Sequence, residues 1–364
     1  MHYNGAFSRN AGVSRVVLGL GKALKEKGVE IDYLYGYNAP RGMNSYLNCL
    51  NGRLHFLHHT PITALLFANF IRGKEFDVVH SHTPEAAFDA VIARALLRKK
   101  FRVLVHLHGL DRAVREEWKK EIKLGGTSYS LSTDLYLRAS IFKGWFGVKL
   151  GNAFACVSRA VQREAERFYG IKPVVVPNAV DCSEFKKFSK KKARSKLGFS
   201  DNDFVVLFVG NNAWRKGLYY LVDAFKELPS NYRLVVVGLR EEFKDSRITC
   251  TGQIGTTELS KYYSAADVLC VPSLNEPFGL VYLEALCFGL PCIACKGTGA
   301  EEIIEDGKSG FLVKKRSIRA ISRALFELKQ LGLRSKLLSF TNAKIEQFSW
   351  ENSSEKLLCI LRID

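Results

Sequence analysis

The chain has 364 residues, 47% of them hydrophobic, and a net charge of +18. That is enough apolar surface to build two domains of ordinary size, and it excludes global disorder. No apolar run reaches the ~18 residues of a spanning helix. The opening MHYNGAFSRN lacks the apolar core of a signal peptide, so the expected compartment is the cytoplasm.

The first helical pattern begins near Gly12 and runs through VSRVVLGLGKALKEKG to Gly28, a natural stop. A sheet domain of the Rossmann type needs a strand before its first glycine loop. Only MHYNGAFSRNA precedes Gly12, and it reads as loop. The first sheet is therefore expected to lack its first strand, with a segment missing ahead of Met1. The following strand candidates are IDYLYGY, RLHFLHH, DVVHSH, RVLVHLHG, AFACVS and VVVPN. They alternate with helical patterns, as parallel α/β sheets do, and most carry few polar residues before their last position.

All eight histidines fall in the first 108 positions. His80 and His82 end one strand candidate, and His106 and His108 end another. Residues i and i+2 share a strand face, so the four can gather. A metal would want a completing carboxylate or Cys nearby, and none is there, so no metal is expected. One ring of each pair is expected to pack and the other to line a ligand cleft. His108, followed by Gly109, is the best placed to touch a ligand.

The run LYLRASIFKGWFGVKLG sets Phe142, Trp145 and Phe146 among Lys143 and Lys149. That is either ordinary surface and core or a docking face for anionic lipid. The basic excess is spread over both halves and comes with no nucleic-acid motif. Lipid or phosphate-bearing partners are therefore favoured, and nucleic acid is not expected.

The basic stretch FKKFSKKKARSKLGFSDND (185–203) opens a second domain, whose strand candidates are FVVLFVG, RLVVVG, ITCTG, VLCVPS, PCIAC and GFLV. Nine cysteines are scattered along the chain, several inside apolar runs. They read as small buried hydrophobes in a reducing compartment, and Cys292-x-x-Cys295 is read as core. Asp201-Asn202-Asp203 precedes a strand and reads as a solvated turn.

Two segments carry the chemistry. In VLFVGNNAWRKG, Arg215 and Lys216 stand before Gly217 at a helix start, where two cations beside free N–H groups suit a diphosphate. In SLNEPFGLVYLEALCFGLP, Pro277 and Gly279 shape a turn, and a helix is expected from about Leu280 to Phe288. Glu276 lies on the loop, and Glu284 lies one turn into the helix, where burial would demand partners. Two carboxylates near a helix start invite an acid/base pair of the glycosidase kind. A third segment, GTGAEEII, offers another glycine-rich helix start.

Taken together, these motifs resemble the retaining glycosyltransferases of family 4, over nearly the full chain. The resemblance rests on NAGVSRV, VVHSH, VHLHG, CVSRAVQREAERFYGI, KPVVVPNAVDCSEF, FVGNNAWRKG, EPFGLVYLE, GLPCIA, GTGAEEII, DGKSGFLV and FSWENSSEKLL. It implies the GT-B fold, two Rossmann-like domains facing across a cleft. Those domains are expected at 1–185 and 186–348, with a helix over 349–364 crossing back to the first. It implies a nucleotide-sugar donor (UDP- or GDP-linked), retention at the anomeric carbon, and neither cofactor nor metal. Gly12 would admit the donor phosphate, and His108 would meet the donor sugar. Arg215 and Lys216 would hold the diphosphate. Glu276 with the backbone of Phe278 and Gly279 would grip the sugar, the Leu280 N–H would reach phosphate, and Glu284 would bind the ribose. The acceptor would be a sugar, a lipid-linked sugar or a glycan, for polysaccharide, glycolipid or envelope synthesis. The enzyme would then work in the cytoplasm, peripherally on the inner membrane face. Departures are Ala11 and Ala179 where the family often has Gly, and Asn211 where it often has Arg. A sugar-nucleotide epimerase and a non-catalytic membrane-surface protein are the alternatives.

Overall fold

The computed structural model describes residues 1–6, 12–37, 43–45, 62–125, 131–331 and 344–362. The chain divides into two compact units. The first is Met1–Asn178 with Trp350–Asp364, and the second is Ala179–Ser349. The break thus falls just upstream of the basic stretch 185–203.

The first unit holds a seven-stranded parallel sheet. Its strands are β1 (His2–Ala6), β2 (Leu34–Tyr37), β3 (Asn44–Ser45), β4 (Val78–Ser81), β5 (Arg102–Leu107), β6 (Ala153–Cys156) and β7 (Val174–Val175). Their order is β3-β2-β1-β4-β5-β6-β7. The expectation of an absent first strand is corrected here. HYNGA is a strand, and a central one: His2 pairs with Leu34 on one side and Ser81 on the other. Five residues with Gly5 among them and a register shift between Tyr3 and Ala6 leave no apolar run to read. The neighbours' backbone groups, not local propensity, make it a strand. The candidate RLHFLHH (53–59) and the Asn10-Ala11 pair lie outside the described residues.

Helix α1 (Gly12–Glu26) buries Leu20 and Leu24 against Leu104 of β5, Ala153 and Ala155 of β6, and Leu357 and Ile360 of the last helix. That helix, α12 (Trp350–Arg362), is fixed to this unit by polar contacts as well. Arg102 donates to the Leu361 carbonyl at 3.1 Å, Ser353 to that of Pro177 at 2.7 Å, and Lys27 pairs with Glu355 at 3.0 Å. Gly19 makes room for the Trp350 indole; a Cβ there would lie 2.3 Å from the ring.

Among the described residues, the remaining helices of this unit are α2 (Ile62–Ile71), α3 (Pro84–Leu96), α4 (Asp111–Lys123), α5 (Leu131–Lys149) and α6 (Arg159–Tyr169). Lys143 of α5, read from sequence as a lipid-facing cation, is instead 3% exposed. It pairs with Asp89 of α3 at 2.7 Å and donates to Thr63 of α2. Gly147 lets α5 and α3 touch, since a Cβ there would meet the Pro84 carbonyl. Lys143 therefore points inward, where the buried Asp89 carboxylate holds its charge.

The second unit opens with α7 (Lys190–Leu197) and holds a six-stranded parallel sheet, ordered β10-β9-β8-β11-β12-β13. The strands are β8 (Phe204–Val209), β9 (Tyr232–Val237), β10 (Ile248–Gly252), β11 (Val268–Cys270), β12 (Cys292–Cys295) and β13 (Gly310–Val313). Its helices include α8 (Leu218–Lys226), α9 (Thr256–Ala265), α10 (Leu280–Cys287) and α11 (Ile318–Leu331). Val205, Val206, Leu207 and Phe208 of β8 are buried, as expected of a strand covered on both faces.

Cys292 and Cys295 are buried in the core, outside any disulfide. The reading of the cysteines in apolar runs as small buried hydrophobes of a reducing compartment is corrected at Cys287. Cys182 and Cys287 form a disulfide, Cα to Cα 5.5 Å, closing 105 residues. Tertiary folding brings the 182–184 turn onto the C-terminal end of α10, a proximity no local pattern announces. Among the described residues no helix is long and apolar enough to cross a membrane.

Candidate functional site

In the second sheet the chain runs outward from β8 to β9 and β10, then returns to β11 on the other side of β8. That reversal is the place where open α/β sheets bind ligands, beyond the carboxyl ends of the strands. The loop after β8 carries Arg215 and Lys216, and the loop after β11 carries Ser273 to Gly279. Both candidate segments thus meet at one point.

Their closeness depends on two glycines. Gly217 has φ 73°, and a Cβ would lie 2.1 Å from the Pro272 carbonyl oxygen, so the two loops touch through backbone. The contact is sealed by Leu274 N–H donating to Arg215 O at 2.9 Å. Gly279, φ 97°, is the N-cap of α10 and offers no side-chain cap, so the first-turn N–H groups stay available to an anion. Gly299 N–H donates to the Glu276 carbonyl at 2.7 Å, which folds the third glycine-rich segment onto the same loop. That segment forms a short 3-10 turn, Gly299–Glu302.

Glu276 is buried. It accepts from Lys216 Nζ at 2.5 Å and from Ser273 Oγ at 3.1 Å. Burial alone would push its carboxyl up, but Lys216 and Arg215 outweigh that and hold it below the usual range. Burial lowers Lys216, against the pull of Glu276, with Arg215 lowering it further and Glu284 raising it. Arg215 is half-buried and donates to the Asn275 carbonyl at 3.2 Å. Asn275 Oδ1 is buried with no hydrogen-bond partner. The structure therefore brings Arg215, Lys216, Glu276 and Glu284 within electrostatic reach of one another.

Glu284 is buried one turn into α10. Its Oε2 accepts from the Tyr263 hydroxyl of α9 at 2.8 Å. Sequence reasoning required a partner for this carboxylate but missed Tyr263, which lies 21 positions away on another helix. Phe278 is buried, and Leu280 is half-buried at the helix start.

The two remaining candidates lie in the first unit. Gly12 is exposed at the first turn of α1. His108 follows β5. In register, β4 and β5 place Ser81 beside Val105, so His82 falls beside His106. His82 Nδ1 lies 3.0 Å from His108 Nε2, and His80 Nε2 lies 3.2 Å from His106 Nδ1. The rings stack, His80 on His106 and His82 on both His106 and His108. Burial, then repulsion among the rings, holds His80, His82 and His108 well below the ordinary imidazole value. Burial pushes His106 down to about 4, against a small upward pull from the Val176 backbone. All four rings are neutral near pH 7.

Comparison with known proteins places these two halves. The pattern described as "Glycosyltransferase Family 4" matches residues 10–184, and "Glycosyl transferases group 1" matches 189–343. The chain is 31% identical over 226 residues to a D-inositol 3-phosphate glycosyltransferase of Acidothermus cellulolyticus, covering 55% of this chain and 50% of that protein. It thus spans half the length of that relative. It is 25% identical to an uncharacterized glycosyltransferase of Methanocaldococcus jannaschii, over 95% of this chain and 92% of that one. The fold matches that of Anabaena Alr3699/HepE in complex with UDP-glucose, with TM-score 0.76 and 17% identity, over 99% and 98% of the two chains. The chain carries a glycosyltransferase family 4 domain followed by a glycosyl transferases group 1 domain, in a fold of the GT-B type.

Proposed function

We propose that this protein transfers a sugar from a nucleotide diphosphate sugar, UDP- or GDP-linked, to an acceptor hydroxyl, with retention at the anomeric carbon. One observation carries the reading: the buried Lys216–Glu276 pair stands beside the uncapped start of α10, at the strand-order reversal. Arg215, Lys216 and the Leu280 N–H meet the diphosphate and stabilise the charge that leaves with it. Glu276, fixed by Lys216 and Ser273, grips the donor sugar with the backbone of Phe278 and Gly279. Glu284, oriented by Tyr263, takes the ribose hydroxyls. His108 meets the sugar at the reaction centre, and Gly12 admits phosphate.

The acceptor hydroxyl attacks from the face the diphosphate leaves, and its proton goes to the departing phosphate oxygen. No protein nucleophile is needed, and the two cations do the work a metal would do on the phosphates. The acceptor is a sugar, lipid-linked sugar or glycan of polysaccharide, glycolipid or envelope synthesis. UDP-glucose in the Anabaena structure supports the donor class.

Incubation with UDP-, GDP- and ADP-sugars, followed by NMR of the anomeric protons, tests this. Transfer with retention is expected. Donor interconversion without acceptor would make the protein an epimerase, and no consumption of any donor would overturn the reading.

The outer stripe of α5 supports peripheral docking on anionic membrane. Leu131, Leu135, Arg138, Phe142, Trp145 and Lys149 recur at helical spacing, with Phe142 68% and Trp145 42% exposed. A Phe142→Ser/Trp145→Ser variant should no longer float with anionic liposomes. Unchanged flotation would reject the docking face.

A further inference from the structure

We propose that His80, His82 and His106 form a site for one divalent transition-metal ion of the Zn2+, Co2+ or Ni2+ class. One ring nitrogen from each lies within 4.8 Å of the others, and all three residues are buried. Three imidazoles around zinc at about 2.0–2.1 Å stand roughly 3.4 Å apart, so the set closes if the ion takes the place of the proton that His80 Nε2 and His106 Nδ1 share at 3.2 Å, that proton moving to the other nitrogen of its ring. Among the described residues no carboxylate belongs to the cluster. That disfavours Mg2+ and Ca2+, which take oxygen ligands, and favours metals suited to imidazole.

The hydrogen-bond inventory is incomplete in the way a ligand would complete it. Four neutral rings own four N–H groups and four lone pairs. The two ring-to-ring bonds engage two of each. Of the nitrogens that remain, His82 Nε2 is buried without a hydrogen-bond partner, and His82 is 0% exposed. An unsatisfied buried nitrogen is costly, and the natural remedy is to donate its lone pair to a cation.

The site also has the beginning of an outer shell. A His82 bound through Nε2 must keep its proton on Nδ1, where His108 Nε2 accepts it at 3.0 Å. The metal would then fix the tautomer of His108; this clause alone rests on the proposed role of His108 at the donor sugar. The transfer step itself is not routed through the ion.

The test uses the full, untagged chain, stripped by chelation and titrated with Co2+ followed by Zn2+ competition. The expected result is one equivalent per chain, with a ligand-field band of low-symmetry nitrogen coordination. Affinity should fall at least tenfold in His82→Gln and in His106→Gln. X-ray absorption at the zinc edge of the wild-type chain should show scattering from three imidazoles. That measurement decides the matter even if a variant folds poorly. Absence of a stoichiometric site, thiolate- or oxygen-dominated scattering, or binding untouched in well-folded variants would overturn the proposal. Nucleotide binding, measured in parallel on the stripped chain, reports the second unit separately, so failure of the metal site and failure of the transferase reading are told apart.

Discussion

The carboxyl edges of the two sheets solve the same problem in opposite ways. In the second unit the buried groups are charged and answer one another: Lys216 with Glu276, with Arg215 beside them. In the first unit the corresponding edge carries four histidines that burial keeps neutral. The difference matches what each edge is proposed to meet. A diphosphate needs fixed positive charge, whereas a sugar or a soft metal needs lone pairs and N–H groups without net charge.

The strongest way to break this comparison is to leave one charge alone. Glu276→Ala strands the Lys216 ammonium in the interior, at a cost of about 3–5 kcal/mol when a buried partner is removed. Turnover should fall on the order of 10²–10³-fold if the pair positions the donor in the transition state. Thermal melting and steady-state rates check both. A melt within a degree of wild type would mean the pair is solvated.

Acid sharpens the contrast. The unfolded chain takes up histidine protons near pH 6.5, while folded His106 resists until about pH 4. The unfolded state therefore binds more protons below pH 6.5. The stability His106 contributes is full above that value and is lost as pH falls towards 4, on the order of 3 kcal/mol for this ring. Proteolysis or hydrogen exchange should show the first unit opening first over that window. Occupation by metal would hold it closed further down.

A smaller effect tests the packing that supports the first edge. Gly→Ala inside a helix ordinarily stabilises by roughly 0.5–1 kcal/mol. Gly19→Ala should instead destabilise by about 1–3 kcal/mol, because its Cβ meets Trp350 of α12. A rise in melting temperature would show that α12 does not pack as described.

Much of this was readable in the residues, for physical reasons. FVVLFV and VLC are unbroken apolar runs because both strand faces are covered. The turns at Gly217 and Gly279 announce themselves because no other residue fits there. The central strand HYNGA was not readable, since neighbours rather than side chains hold it. Tyr263 beneath Glu284 and Cys182 against Cys287 were hidden as well, because contacts across 21 and 105 positions leave no local trace. The spacing His-x-His put rings on one face. It did not show that the strand register would set His82 beside His106.

The central claim is that Glu276 and Glu284 are two grips on one donor rather than an acid and a base. Calorimetric nucleotide affinity and turnover, measured together for Glu276→Gln and Glu284→Ala, test it most directly. The account predicts that Glu284→Ala weakens nucleotide binding about tenfold or more. Glu276→Gln should lower turnover with nucleotide affinity nearly unchanged. Equal loss of turnover in both variants, with nucleotide affinity intact, would contradict it.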